Sequence, residues 1–243
     1  MMLAKHAVVS GQWLFRWRSY LPLLLALLLV PAVWVYTSPT GSAYWDQVWE
    51  LGCFAVALFG LAIRCFAVGY SREGTSGRNT HSQRADALNT DGLYSVVRNP
   101  LYIGNYFMML GPCLFVHVWW VWVIYTLLFW LYYERIVMTE EDYLHKKFGA
   151  DYERFADNTP AFFPRLSRWR KPQFPFSMRV VLSREYSGLL GMIVSFVIVD
   201  AATNWRLTNT LYVSQLWLII LASGLLLYLT LRTLRKTTRV FDA

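Results

Sequence analysis

The sequence predicts an all-α, polytopic integral membrane bundle of about six membrane segments, and three observations support it. Hydrophobic residues make up 56% of the 243 residues. Only 16% of the residues are charged, against about 25% in an average soluble domain. The 12 Trp and 15 Tyr fit the aromatic belts of bilayer interfaces. No polar segment is long enough to fold alone, so residues 1–243 are expected to form a single membrane domain.

The N-terminal region, residues 1–69, is predicted to contain two spans. The first apolar run covers residues 20–36 and is longer than a signal-peptide core, which favours a retained anchor. Residues 37–46 form a turn, and residues 48–69 are the second span. Arg64 lies near the end of this span, where it either snorkels to the interface or contacts an anionic headgroup.

The middle region, residues 70–165, begins with a polar loop over residues 70–98, a length typical of functional or disordered loops. Two apolar segments follow at residues 100–115 and 119–133. Each is shorter than the roughly 20 residues of a perpendicular span, so they predict a tight helical hairpin that turns at His117. Apolar residues at helical spacing predict an amphipathic helix over residues 134–155.

The C-terminal region, residues 166–243, is predicted to hold a connector and two spans. The connector covers residues 157–184, contains prolines, and is basic. The spans cover residues 186–203 and 211–231, and they either shape a lipid pocket or mediate oligomerisation, so the oligomeric state stays open. The connector's basic side chains either bind an anionic headgroup or follow the bias of cytoplasmic loops: Arg165, Arg168, Arg170 and Lys171.

The distribution of Lys and Arg predicts the orientation. The N-terminal arm has three, the 70–98 loop four, residues 134–184 ten and the C-terminal tail four, whereas the alternate loops contain only Arg206. Basic loops lie in the cytoplasm, so both termini are expected there. The location is then a bacterial inner membrane or an endoplasmic reticulum membrane. The net charge of +8 indicates anionic membrane lipids as partners, not nucleic acid.

Cysteine and histidine spacing predicts no metal site. Cys53, Cys65 and Cys113 lie in apolar segments, where cysteine usually acts as a small buried hydrophobe. The chain has neither a CxxC pair nor an HExxH pattern.

Two polar blocks at the ends of apolar segments carry the functional prediction. Pro100 is suited to the first turn of a helix, whose free N–H groups favour a carboxylate or phosphate. Tyr94 and Tyr102 offer rings for stacking, and Arg98 can bind a carboxylate at two points. Glutamates of the second block can accept hydrogen bonds from an amino group or a ribose. The combination suits a zwitterionic ligand with an aromatic base, and S-adenosylmethionine is one such molecule.

The two blocks read, in order, Gly92-x-Tyr94-x-x-x-Arg98-Asn99-Pro100-x-Tyr102-x-Gly104 and Glu140-Glu141-x-x-Leu144-x-x-x-Phe148-Gly149-x-x-Tyr152. Over residues 88–164 this pattern resembles the isoprenylcysteine carboxyl methyltransferase and phospholipid methyltransferase superfamily. The resemblance implies S-adenosylmethionine-dependent methyl transfer at the cytosolic face, to a lipid or a prenylated, isoprenoid-type acceptor that enters between helices.

The resemblance also implies roles for individual residues. Arg135 and Glu141 are the predicted catalytic residues. Asn99 stands where the family more often has histidine, and Arg135 is offset by one position from the arginine that the family directs toward its substrate. The predicted cofactor-binding residues are Leu88, Tyr94, Arg98, Asn99, Pro100, Tyr102, Gly104 and Glu140.

Two other functions remain open at this stage. Membrane sterol and steroid reductases carry a similar Arg-x-Pro-x-Tyr-x-Gly element and use NADPH. The acidic pair Glu140 and Glu141 disfavours them, because a dinucleotide phosphate prefers cations. A non-catalytic accessory protein of the membrane is the other alternative, and it predicts that substitution of Tyr102 or Glu140 is tolerated.

Overall fold

The computed structural model describes residues 13–17, 24–71, 85–238 and 241. A 3₁₀ turn, Leu25–Leu28, leads into the first helix, and a second one, Leu166–Arg168, lies in the connector. The α-helices are α1 Leu29–Trp34, α2 Ala43–Gly69, α3 Leu93–Val96, α4 Pro100–Phe115, α5 Trp119–Phe148, α6 Ala150–Asn158, α7 Met178–Thr208 and α8 Gln215–Thr237.

Four of these helices, α2, α5, α7 and α8, are long and apolar enough to cross a membrane. The expected polytopic helical membrane bundle is therefore confirmed. The 16-residue helix α4 is the short arm of the predicted hairpin, and His117 makes its turn with a φ of 52°. Residues 20–23 of the first predicted span lie outside the described residues, as do residues 72–84 of the predicted polar loop.

Helix α5 differs from the prediction of a short second arm followed by a separate amphipathic helix. It runs unbroken through 30 residues, because no Gly or Pro interrupts it between Trp119 and Phe148. Gly149, with a φ of 52°, ends the helix, and its N–H bonds to the His145 carbonyl at 2.8 Å. The second polar block is therefore the continuation of an apolar helix.

Helix α7 also exceeds its predicted bounds of residues 186–203. Ser177 caps its start, because its Oγ accepts from the Val180 N–H at 3.3 Å. At its other end Asn209 adopts the left-handed conformation, with a φ of 55°. The extra turns bring Glu185, which lies between the predicted connector and the predicted span, into the helix.

Small residues bring α2 and α4 together. A Cβ on Gly60 would overlap backbone atoms of Gly104 and Met108, and a Cβ on Gly111 would overlap the Cys53 carbonyl and Ala57. Such close backbone approach is the usual way in which apolar helices associate within lipid. Beside this contact, the rings of Phe196 on α7 and Trp217 on α8 stack with centroids 5.0 Å apart.

The helices alternate in direction, so the bundle has two ends. We call the end that holds residues 85–98, α6 and the connector 159–177 the basic end. The opposite end holds the turns at residues 37–42, 116–118 and 209–214. Both polar blocks lie at the basic end, as the sequence predicts.

Candidate active site

The connector folds back over the first polar block. The Gly92 N–H bonds to the Arg170 carbonyl at 3.0 Å, and the Arg165 N–H bonds to the Val96 carbonyl at 2.9 Å. The Arg98 N–H bonds to the Pro160 carbonyl at 2.9 Å. These bonds satisfy backbone groups at the two ends of α3 and in the connector that no helix pairs. The connector is therefore a part of the site and not only a link between spans.

The two polar blocks meet at the start of α4. Pro100 occupies its first turn and is buried. Tyr102, two residues further along the same turn, donates its hydroxyl hydrogen to Glu140 Oε1 at 2.8 Å. The Tyr102 ring packs on the Tyr133 ring of α5, with centroids 4.7 Å apart. The hairpin thus joins residues 38 positions apart. We call the surface formed by Tyr102, Tyr133 and Glu140 the hairpin wall.

Arg98 and Glu141 form a second link between the blocks. Arg98 Nε donates to Glu141 Oε1 at 2.9 Å, and its Nη1 donates to the carbonyls of Ala156 and Thr159 at 2.7 Å each. Asn99 Nδ2 donates to the Ala161 carbonyl at 3.1 Å. Arg98 therefore clamps the end of α6 to the second block, and its guanidinium already has acceptors on three sides.

Leu88 and Tyr94 line a cleft of about 170 Å³ beside α3. The cleft combines apolar rings with amide and carboxylate groups: Phe66, Tyr70 and Phe174, together with Asn89, Asp91 and Gln173. The Tyr94 hydroxyl bonds to Asn89, and burial, followed by the charge of Glu140, raises its pKa to about 12. Tyr94 is therefore a neutral hydrogen-bond donor at physiological pH.

Tyr152 on α6 has a buried hydroxyl that lies beside the Glu141 carboxylate, although the contact falls short of good hydrogen-bond geometry. Its side chain is 5% exposed. Burial and the neighbouring charge of Glu141 raise its pKa above the ordinary tyrosine value. Tyr152 is therefore neutral at physiological pH and adds a second buried hydroxyl beside the two polar blocks.

Two predicted site residues lie elsewhere. A Cβ on Gly104 would overlap Arg64 Cγ and the Gly60 carbonyl. The side of Gly104 that lacks a side chain therefore packs against α2. Arg135 is exposed on the face of α5 that also carries the exposed Leu131 and Met138. The structure therefore brings Tyr102, Glu140, Arg98 and Glu141 together, but it does not bring Arg135 to them.

Sequence reasoning missed a buried ion pair next to this wall. Arg64 on α2 donates from Nε to Glu185 Oε2 and from Nη2 to Glu185 Oε1, both at 2.8 Å. Arg64 Nη1 donates to Asn105 Oδ1 at 2.6 Å. Arg64 is thus paired inside the bundle, which neither of its two predicted roles anticipated. The available signal was a lone acid at the edge of an apolar segment, since such groups are usually paired with a counter-charge.

Comparisons with known proteins match the region of the chain that holds both polar blocks. Residues 51–151 match the phospholipid methyltransferase family model, and this range contains most of α2, all of α3, α4 and α5, and both glutamates. The protein-S-isoprenylcysteine O-methyltransferase of Schizosaccharomyces pombe is 32% identical over 79 residues, which are 32% of this chain and 34% of that protein. The resemblance to the superfamily is confirmed, and the matches support a membrane methyltransferase.

Two bacterial relatives cover more of the chain. The cobalt-zinc-cadmium resistance protein of Cupriavidus metallidurans is 32% identical over 160 residues, 63% of this chain and 64% of that protein. The nickel-cobalt-cadmium resistance protein of Alcaligenes xylosoxydans xylosoxydans is 30% identical over 132 residues, 54% of this chain and 59% of that protein. The chain thus matches about three fifths of the length of each. No solved structure matches the chain significantly.

Proposed function

We propose that the protein is an integral membrane methyltransferase that uses S-adenosylmethionine and methylates a lipid or lipid-linked acceptor at the cytosolic membrane face. The observation that carries the proposal is the Tyr102–Glu140 hydrogen bond, which joins the two polar blocks within the residues that match the phospholipid methyltransferase family. The Lys and Arg distribution supports a cytosolic position for the basic end.

The residues at the basic end fit this cofactor. The cleft at Tyr94 offers rings for a base and polar groups for a ribose. The start of α4 places the positive end of the helix dipole at the site, which favours a carboxylate. Glu140 carries a negative charge that complements a sulfonium. When bound, S-adenosylmethionine supplies an activated methyl group.

The chain's own contribution is to hold and orient its ligands. Positioning of two reactants is worth up to roughly 7–11 kcal/mol of the barrier. The hairpin wall and the connector are tied together by Arg98, which leaves the site few alternative arrangements. The apolar helices around the wall exclude water from one side of the site.

The engaged glutamates bear on the acceptor. Glu140 accepts a hydrogen bond from Tyr102, and Glu141 accepts one from Arg98. Each of the two carboxylates is therefore already engaged with a neighbouring side chain. Tyr94, with a pKa of about 12, does not act as a base at neutral pH. We therefore infer an acceptor that arrives as a nucleophile, such as a carboxylate or phosphate oxygen, in preference to an amine that must first be deprotonated.

The first test is calorimetric titration of detergent-purified protein with S-adenosylhomocysteine and, separately, with NADPH. Saturable binding of S-adenosylhomocysteine alone is expected. Binding of NADPH alone would assign the protein to the reductases, and binding of neither by folded protein would favour an accessory role. Incubation of membranes with methyl-labelled S-adenosylmethionine, followed by lipid extraction, then identifies the acceptor by the label it carries.

The bacterial relatives suggest a physiological setting for the same activity. Both are named as resistance proteins for cobalt, cadmium and a third metal. We infer that methyl transfer by this protein contributes to growth in the presence of such metals. A host lacking the protein should grow less well with added cobalt or cadmium. The wild-type chain should restore growth, and Glu140→Gln should not.

A further inference from the structure

The ion pair between α2 and α7 lies outside the predicted site but touches it. Glu185 on α7 falls beyond the matched range of residues 51–151. Its side chain is 5% exposed, and that of its partner Arg64 is 18% exposed. Two parallel bonds of 2.8 Å give the pair the bidentate geometry that fixes the direction of a guanidinium as well as its position.

The path of the Arg64 side chain depends on glycine. The stem of Arg64 passes α4 where Gly104 has no side chain, and a Cβ there would overlap Arg64 Cγ. The guanidinium then reaches Asn105, the next residue of α4, at 2.6 Å. Three helices that are distant in sequence therefore meet at one charged group.

The contacts continue from Asn105 to the hairpin wall. Asn105 Nδ2 donates to the Tyr133 hydroxyl over a long 3.5 Å. The Tyr133 ring packs on the Tyr102 ring, and Tyr102 donates to Glu140. On the other side, the charges of Arg64 and Arg184 both act on the Tyr94 hydroxyl. A continuous chain of contacts thus runs from Arg64 to the hairpin wall, reaching Tyr102 at the third contact and Glu140 at the fourth.

We infer that Glu185 is a positioning residue for the cofactor site: by holding Arg64 against Asn105, it fixes the wall that carries Tyr102 and Glu140, so that α7 completes a site built mainly by α2, α4 and α5. The inference rests on the proposed function. A buried ion pair contributes little net stability compared with apolar packing of the same volume, and fixing one geometry is the better-supported role for such a pair.

The test compares S-adenosylhomocysteine affinity in full-length variants purified in detergent. Glu185→Gln keeps the shape of the side chain but leaves the Arg64 charge without its counter-charge. Its affinity is expected to fall roughly ten-fold, the size of effect typical of coupled neighbours. The matched control is Asp200→Asn, which removes a charge that is equally buried on the same helix at the opposite end. Its affinity is expected to equal that of the wild type.

A second variant separates positioning from folding. The double substitution Arg64→Met with Glu185→Leu replaces the pair by apolar side chains, so its thermal stability should return to the wild-type value or exceed it. Its affinity should remain low because Asn105 has lost its donor. A return of affinity together with stability would overturn the inference, since the pair would then be needed only for folding.

The outcomes also separate this inference from the proposed function. Wild-type protein that binds no S-adenosylhomocysteine would overturn the proposed function and, with it, the inference. Wild-type protein that binds, together with a Glu185→Gln variant of unchanged affinity, would overturn the inference alone.

Discussion

The two ends of α7 each bury one acidic side chain, and the two acids differ in what they hold. Glu185 at the basic end is 4% exposed and Asp200 at the opposite end is 2% exposed. Asp200 accepts from the Ser214 backbone N–H at 2.7 Å and from Ser214 Oγ at 2.6 Å. Ser214 is 14 positions away and directly precedes α8. Glu185 accepts from Arg64, 121 positions away.

This difference in sequence separation indicates a difference in role. The Asp200 bonds close a single turn between adjacent helices and leave the other helices unaffected. The Glu185 bonds join α7 to α2 and, through Arg64, to α4. A buried acid with a local partner is therefore expected to stabilise the fold, and one with a distant partner is expected to fix the site.

The strongest contrast between the two ends should come from the hairpin wall. Glu140→Ala and Tyr102→Ala each remove one partner of a hydrogen bond to a charged group. We expect S-adenosylhomocysteine binding to fall by roughly 100-fold or more, while the proteins still insert and purify normally. Calorimetric titration beside size-exclusion chromatography measures both. Tyr102→Phe is the control: it keeps the ring contact with Tyr133 and loses only the bond to Glu140, so an intermediate affinity is expected. Wild-type affinity in both alanine variants would disprove the site assignment.

A substitution at the crossing of α2 and α4 should lower both the stability of the protein and its affinity for the cofactor. Gly104→Ala places a methyl group against Arg64 Cγ and the Gly60 backbone, and overpacking of this kind costs about 1–3 kcal/mol. We expect a lower thermal midpoint and weaker cofactor binding in the same variant. Gly52→Ala on α2 is the control, because beyond the helix's own local backbone no atom lies within 4 Å of the added methyl position. Equal midpoints for the two variants would contradict the close crossing seen here.

Much of the fold could be predicted because apolar length and loop charge are local properties of the sequence. The turn at His117 and the spans at α2, α7 and α8 follow from them. The unbroken helix α5 could not be predicted in this way. Its sequence changes from apolar to charged residues, which suggests a helix end, but no residue at that point prevents the backbone from continuing as a helix. Only Gly149 ends that helix, and it does so by adopting a positive φ.

The candidate site could be predicted only in part for a related reason. Residues close in sequence, such as Asn99, Pro100 and Tyr102, form a motif that can be recognised. The Arg64–Glu185 pair joins two helices whose packing no local pattern specifies. Gly104 illustrates the same limit: the resemblance implies that it binds the cofactor, whereas the structure packs Arg64 against it.

A smaller effect, confined to stability, is expected at the opposite end. Asp200→Asn keeps one acceptor oxygen but directs an amide donor at the Ser214 N–H or hydroxyl, which should cost about 1–3 kcal/mol. Thermal unfolding followed by intrinsic tryptophan fluorescence measures the change. Ser214→Ala, which removes only the hydroxyl and retains the backbone N–H bond, should cost less. A loss of cofactor affinity in folded Asp200→Asn protein would erase the distinction between the two ends.

The smallest effect concerns the pH dependence of Tyr94. Its pKa of about 12 lies above the ordinary value of 10, so the hydroxyl stays protonated through pH 9. Any stability that depends on the neutral hydroxyl is present below pH 10 and is lost as the pH rises through about 12. Tyr94→Phe should weaken S-adenosylhomocysteine binding only a few-fold, the worth of one neutral hydrogen bond. The ratio of wild-type to variant affinity should be the same at pH 7 and pH 9. A ratio that falls toward one at pH 9 would show that the hydroxyl ionises in this range, and the cleft would then be far better hydrated than its burial indicates.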